Sequence, residues 1–112
     1  MKALFVELPA FERNRSAYLT DEAFRGLQNA MLKDPEAGDV IAGTGGLRKV
    51  RHGDASRGKG KRGGLRIIYY WWEPKKHFWL FTLYDKDELD DLSPKEKAVL
   101  KILLKQELEE RK

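Results

Sequence analysis

Cysteine is absent from these 112 residues, which excludes disulfides and a thiol nucleophile. Histidine is nearly absent: His52 and His77 stand alone, without the neighbouring thiols that a zinc site uses, so no metal or other cofactor is expected. No stretch approaches the roughly 20 apolar residues of a membrane span. The opening M-K-A-L-F-V-E-L-P meets an acid after four apolar residues, too soon for the apolar core of a signal peptide. A cytoplasmic protein without a membrane anchor is expected. Internal repeats, linkers and low-complexity segments are missing too, so the chain should form one domain, residues 1–112.

Acid is also missing from one place in particular. The nineteen residues from Arg48 to Arg66 carry eight basic side chains and a single acid, Asp54, for +7. The rest of the chain holds 14 basic and 17 acidic residues, or −3. A charge so concentrated points to a polyanionic partner met by this segment and not by the remaining surface. Glycines 53, 58, 60, 63 and 64 alternate with the cations, which lets backbone as well as side chains approach phosphate. The 41% hydrophobic fraction, with three Trp, four Tyr and five Phe, is enough for a modest core.

Ala3–Glu7 reads as a short opening strand. Pro9 suits the first turn of a helix reaching about Tyr18. Thr20 is a good N-cap for a second helix, whose apolar stripe is Ala23, Phe24, Leu27, Ala30 and Met31 and which Asp34-Pro35 ends. Leu47–Arg51 is a second strand candidate, and His52–Gly64 a basic loop. Leu65–Glu73 is the clearest strand: alternation puts Leu65, Ile67, Tyr69 and Trp71 on one face and Arg66, Ile68, Tyr70 and Trp72 on the other. Both faces are bulky, so it should be central. A Glu73–Lys76 turn leads to an antiparallel partner, His77–Tyr84. Counting back from that turn sets Thr82–Tyr84 opposite roughly Ile67–Leu65. Ser93, Pro94 and Glu96 form a capping box that opens a C-terminal helix with Leu100, Leu103, Leu104 and Leu108 on one stripe. The order β-α-α-β-β-β-α implies an α+β fold: a small antiparallel sheet of about four strands, two N-terminal helices and a C-terminal helix.

Two glycine patterns in the basic loop carry little. Gly58–Gly63 matches G-x-G-x-x-G, but a strand follows where dinucleotide binding needs a helix. Gly53–Lys59 matches most of G-x-x-x-x-G-K, but Gly60 stands where Ser or Thr is required. Arg66 is more informative. An arginine inside an apolar central strand is costly unless it has a partner or lines a wet cleft. It is either a structural ion pair, with Asp85 or Asp87, or a phosphate clamp built on the guanidinium fork. The hairpin brings Tyr84 and Lys86 beside it. His52 and His77 are bases by chemistry, yet each has a plainer role, in the loop and at a strand start.

Three blocks, G-D-V-I-A-G-T-G-G-L-R-K-V-R (Gly38–Arg51), G-K-G-K-R-G-G-L-R-I-I-Y-Y (Gly58–Tyr70) and L-F-T-L-Y-D-K-D-E-L-D-D-L-S (Leu80–Ser93), taken in order and spacing, resemble the RelE/HigB superfamily of bacterial toxins, specifically its HigB-like branch. The resemblance spans nearly the whole chain. It implies a RelE-like toxin of a type II toxin–antitoxin system that cleaves mRNA on the ribosome without a metal. The 2′-OH attacks the adjacent phosphate, leaving a cyclic phosphate and a 5′-OH. It also implies a cognate HigA-like antitoxin with a helix-turn-helix domain, and contact with operator DNA only through that complex. Carried over by position, the catalytic set is Lys59 and Lys61 in the loop, Arg66 in the strand and Lys86 after the last strand. Some members carry a tyrosine near the C-terminal helix where this chain has Leu92-Ser93-Pro94, and Tyr84 is the nearest substitute. Arg48, Lys49, Arg51, Arg57 and Arg62 are then RNA-docking charges. A non-catalytic RNA- or ribosome-binding module is the rival reading. A DNA-binding regulator lacks a recognition helix led by basic residues.

Overall fold

The computed structural model describes residues 1–53 and 64–111. Arg57, Lys59, Lys61 and Arg62, all expected at the site, lie outside the described residues. The elements are β1 (Leu4–Glu7), α1 (Pro9–Tyr18), α2 (Asp21–Lys33), β2 (Asp39–Val40), β3 (Arg48–His52), β4 (Leu65–Trp72), β5 (His77–Asp85) and α3 (Pro94–Glu110). The fold is α+β. The sheet has five strands in the order β1-β5-β4-β3-β2, so β4 is central, as its two apolar faces require.

Two features of the sheet differ from the simplest expectation. β2 is an additional two-residue strand, antiparallel to β3. β1 pairs with β5 in parallel, so the sheet is mixed rather than wholly antiparallel. The parallel pairing needs a long crossover, here everything between the two strands.

Local chemistry accounts for the helix starts. The Thr20 hydroxyl accepts the Ala23 N–H at 3.1 Å. Ser93 accepts from the Glu96 N–H at 3.1 Å, while the Glu96 carboxylate accepts from the Ser93 N–H at 2.9 Å, completing the capping box. Arg15 joins α1 to β1 through Glu7 at 2.7 Å and lies over the Phe24 ring of α2.

Alternation along β4 divides the core in two. Leu65, Ile67 and Tyr69 pack with Phe11, Leu27 and Met31 of the N-terminal helices. Ile68 packs with Leu47, Trp79, Phe81, Leu100 and Leu104, beneath α3. Leu103, placed on the buried stripe by helical spacing, is 42% exposed, so the inner face of α3 runs through the buried Leu100 and Leu104 and the half-buried Leu108. Tyr69 ties the stretch before β2 to the centre: its hydroxyl accepts the Gly38 N–H and donates to the Pro35 carbonyl. Gly38 is required there, since a Cβ would stand 2.9 Å from the Tyr69 ring.

The β4–β5 register changes part-way. Trp72↔His77 through Tyr69↔Leu80 follow one count, and Ile68↔Thr82 through Leu65↔Asp85 the next. Phe81 is the extra residue of a β-bulge. Counting back from the turn without it set Tyr84 opposite Leu65; with it, Tyr84 lies opposite Arg66.

Candidate functional site

β3 ends and β4 begins at the same edge of the sheet, where His52 pairs with Leu65. β5 ends there as well, with Asp85 opposite Leu65. Gly53 and Gly64, which flank the centre of the basic segment, therefore lie at this end. The Gly64 carbonyl accepts the Lys86 N–H at 3.3 Å and the Arg66 guanidinium at 3.1 Å. One oxygen thus joins the return of the basic segment, the end of β5 and the strand arginine.

Arg66 is 3% exposed. A guanidinium so buried keeps its charge and needs oxygen around it, and its bonds to the Gly64 and Leu65 carbonyls supply part of that. Its cross-strand neighbours are Tyr84 on β5 and Arg51 on β3. Directly opposed residues share a face, so Arg51, Arg66 and Tyr84 belong to the α3 side of the sheet. Lys49, opposite Ile68, joins them. Asp85 is fully buried; its carboxylate accepts the Asp87 N–H at 2.9 Å, and its carbonyl accepts from Glu88 and Leu89. It shapes the turn that presents Lys86.

Tyr84 is the unusual group. It is 7% exposed, and its hydroxyl is buried without a hydrogen-bond partner among the described residues, a state that normally costs about 1–3 kcal/mol. Burial, then the charge of Asp91, pushes its pKa up, while Arg66 opposes them. The phenol is held protonated, a proton donor with no acceptor among the described residues. Asp91 sits at 3.5 Å from the Lys49 ammonium. Its pKa is lowered by the hydrogen bond from the Leu92 N–H and then by the lysines nearby.

The structure gathers Arg66, Tyr84, Lys49 and Arg51 on one face, with Lys86 exposed at the end of β5. Arg48 is not among them. It belongs to the opposite face, and its guanidinium donates to the Glu36 and Gly38 carbonyls and to the Glu36 carboxylate, holding the segment before β2. His77 is at the far end of the hairpin, six residues along β4 or about 20 Å away. Its pKa is lowered by burial, then by Arg111 and Lys75. Asp91 escaped the sequence reading, which took Asp85–Asp91 as a charged connection and named Asp85 only as an ion partner for Arg66. The one available signal was an acid placed just before the capping box. Among the described residues, no cluster of three or more His, Cys, Asp or Glu is arranged to hold a metal ion, and no helix is long and apolar enough to cross a membrane.

No family model matches the chain. Among solved structures it is similar to the E. coli toxin RelE, determined as a double mutant in the free state. Identity is 16% and the TM-score 0.53, over 88% of this chain and 96% of that one. At that identity the likeness establishes a shared fold: this chain has the RelE-like architecture.

Proposed function

We propose that this chain is the toxin of a type II toxin–antitoxin system, of the HigB-like branch, and that it cleaves mRNA on the ribosome and so inhibits translation. The observation that carries the reading is the buried pair at the mouth of the basic segment: Arg66 opposite Tyr84, with the Tyr84 hydroxyl unpartnered. Packing alone gives no reason to bury a guanidinium beside an unsatisfied phenol. A phosphate arriving between them would accept from both.

The proposed reaction needs a base for the 2′-OH, charge stabilisation at the phosphorane and an acid for the leaving oxygen. Lys61 takes the 2′-OH proton as O2′ bonds to phosphorus. Arg66 binds the phosphorane oxygens through its fork of donors. The P–O5′ bond then breaks, Tyr84 gives its proton to O5′, and the products are a 2′,3′-cyclic phosphate and a 5′-OH. Lys59 and Lys86 add positive field. Lysine is protonated near neutral pH, with an unperturbed pKa of ~10.4, and the crowding of cations in the segment favours its neutral form. The raised pKa of Tyr84 suits an acid that must stay protonated until the leaving oxygen takes its proton. Lys49, Arg51, Arg57 and Arg62 dock the RNA backbone. The partner that silences the toxin is a HigA-like helix-turn-helix antitoxin, and the pair reaches operator DNA only as a complex.

Primer extension on translated messages tests this. Discrete cuts should appear with the wild type and disappear in Arg66→Ala with ribosome binding retained. Ribosome co-sedimentation with intact messages would instead favour the rival, a basic RNA-binding module, which the +7 segment alone would suffice to build. Expression of the chain alone should arrest a bacterial host, and the neighbouring antitoxin gene should rescue it.

A further inference from the structure

Between the C-terminal half of α2 and β3 lies a half-enclosed slot of about 200 Å³ that the reaction above does not use. Leu27, Met31, Val50 and Tyr69 wall it. Tyr69 offers only its ring, because its hydroxyl is committed to Gly38 and Pro35. Asp34 and His52 bring polar groups to the slot, and Arg51, whose register with Arg66 sets it on the α3 face, borders it. β2 pairs only with Arg48 and Lys49, so from Val50 onward the outer edge of β3 meets no strand among the described residues. The slot lies beside that bare edge.

We infer that this slot receives one nucleobase of the RNA strand whose phosphate lies at Arg66, and that the base is guanine. The polymer rests on the nuclease reading; the slot does not. Three observations converge on a base. The volume is below the range of drug-sized pockets and suits one planar heterocycle. Its walls are apolar, which a base's π faces tolerate whatever the sequence. Its polar groups are of opposite kinds. The Asp34 carboxylate only accepts; its Oδ1 takes the Glu36 N–H at 3.3 Å, and Oδ2 is left for a ligand's donors, so that beside a polyanion the acid is repulsive unless it reads a base edge.

Guanine answers that set best. Its N1–H and N2 amino group donate side by side to a carboxylate, while O6 and N7 accept from a donor such as the His52 imidazole N–H. Uracil turns two carbonyl oxygens toward the acid around a single N–H. Position agrees with chemistry. Arg51 pairs with Arg66, and His52 with Leu65, so the mouth of the slot is one strand spacing, about 5 Å, from the phosphate strand. RNA on the α3 face can turn one base over the bare edge of β3 into the slot.

The test uses the wild-type chain, Ala30→Trp and Asp34→Asn. Ala30 is exposed on α2 and lines the slot, so a tryptophan there fills it without entering the core. Methyl NMR titrations with GMP and UMP, and with inorganic phosphate as control, should shift Leu27, Met31 and Val50 with GMP at least about tenfold more tightly than with UMP. Ala30→Trp should abolish the response, and Asp34→Asn should erase the preference. Sequencing of cut ends should place guanine at one fixed position from the wild-type cut, and Asp34→Asn should spread the cuts over other bases. GMP bound as described with no RNA cut would sink the nuclease reading and leave the slot standing. Cutting without a guanine preference, GMP bound equally by Ala30→Trp, or the same shifts with phosphate alone would overturn the slot.

Discussion

The two ends of the β4–β5 hairpin are made from the same pair of strands and obey opposite rules. At the closed end, Trp71 lies 4.6 Å from Phe78 and Trp72 5.0 Å from Trp79, ring centre to centre. A short turn over Glu73–Lys75 closes it, with Lys76 in the left-handed region. At the open end, Arg66 and Asp85 are buried charges, Tyr84 is a buried unsatisfied hydroxyl, and the basic segment enters. The difference teaches how a small sheet tolerates a costly site. Aromatic burial and ring contacts, worth about 0.5–1.5 kcal/mol per pair beyond area, hold the strands in place, and the far end of the same strands is free to carry polar groups placed for a ligand.

The largest effect that would break this contrast is at the closed end. Trp79→Ala should cost about 3–5 kcal/mol in urea unfolding, because the ring packs against Tyr70, Trp72 and Arg111. Next is the open end, where Arg66→Met should slow cleavage by about 10²–10³-fold while urea unfolding stays cooperative. Collapse of the fold instead would make Arg66 a structural ion. Tyr84→Phe should sharpen the division further. Cleavage should fall by about 10²-fold, and stability should hold or rise by about 1 kcal/mol, since the lost hydroxyl had no partner. Equal activity in the two proteins would remove Tyr84 from the acid's role.

The smaller effects are in pH. Burial raises the pKa of both Tyr69 and Tyr84, so the folded state holds these protons more tightly than the unfolded one. Their stabilisation is complete below the unfolded value near 10 and is lost as pH rises through the folded values. Thermal melts above pH ~10 should fall steadily, and Tyr84→Phe should flatten part of that fall. His77 behaves oppositely. Its pKa is lowered, so stability should decline modestly as pH drops below about 6.5, where the unfolded chain binds the proton first. His77→Gln should remove that slope.

What was legible in the sequence was what local chemistry decides. Thr20, Pro9 and the Ser93–Glu96 box announce helix starts because caps satisfy backbone groups only a few residues away. The double-sided bulk of Leu65–Trp72 marks a central strand for a similarly direct reason. Contacts far apart in the chain were not legible. The parallel seat of β1 on β5 spans about seventy residues, and β2 is too short to leave a periodic trace. At the site, Arg66 could be singled out because an arginine contradicts its apolar neighbours. Arg48 could not be separated from Lys49 and Arg51 by charge. Only the Glu36 and Gly38 carbonyls, brought to it by the folded backbone, do that.

The bulge at Phe81 acts as a phase correction between the two ends. An unbroken count from the turn would seat Leu83 opposite Arg66 and send the Tyr84 hydroxyl to the face covered by α1 and α2, since a slip of one residue exchanges the faces of a strand. One supernumerary residue lets the aromatic end keep its own rhythm while the polar end runs half a period later. Deleting Phe81 would leave every residue named at the site in the chain and put the phenol out of step with the guanidinium, so their meeting depends on a residue that belongs to neither.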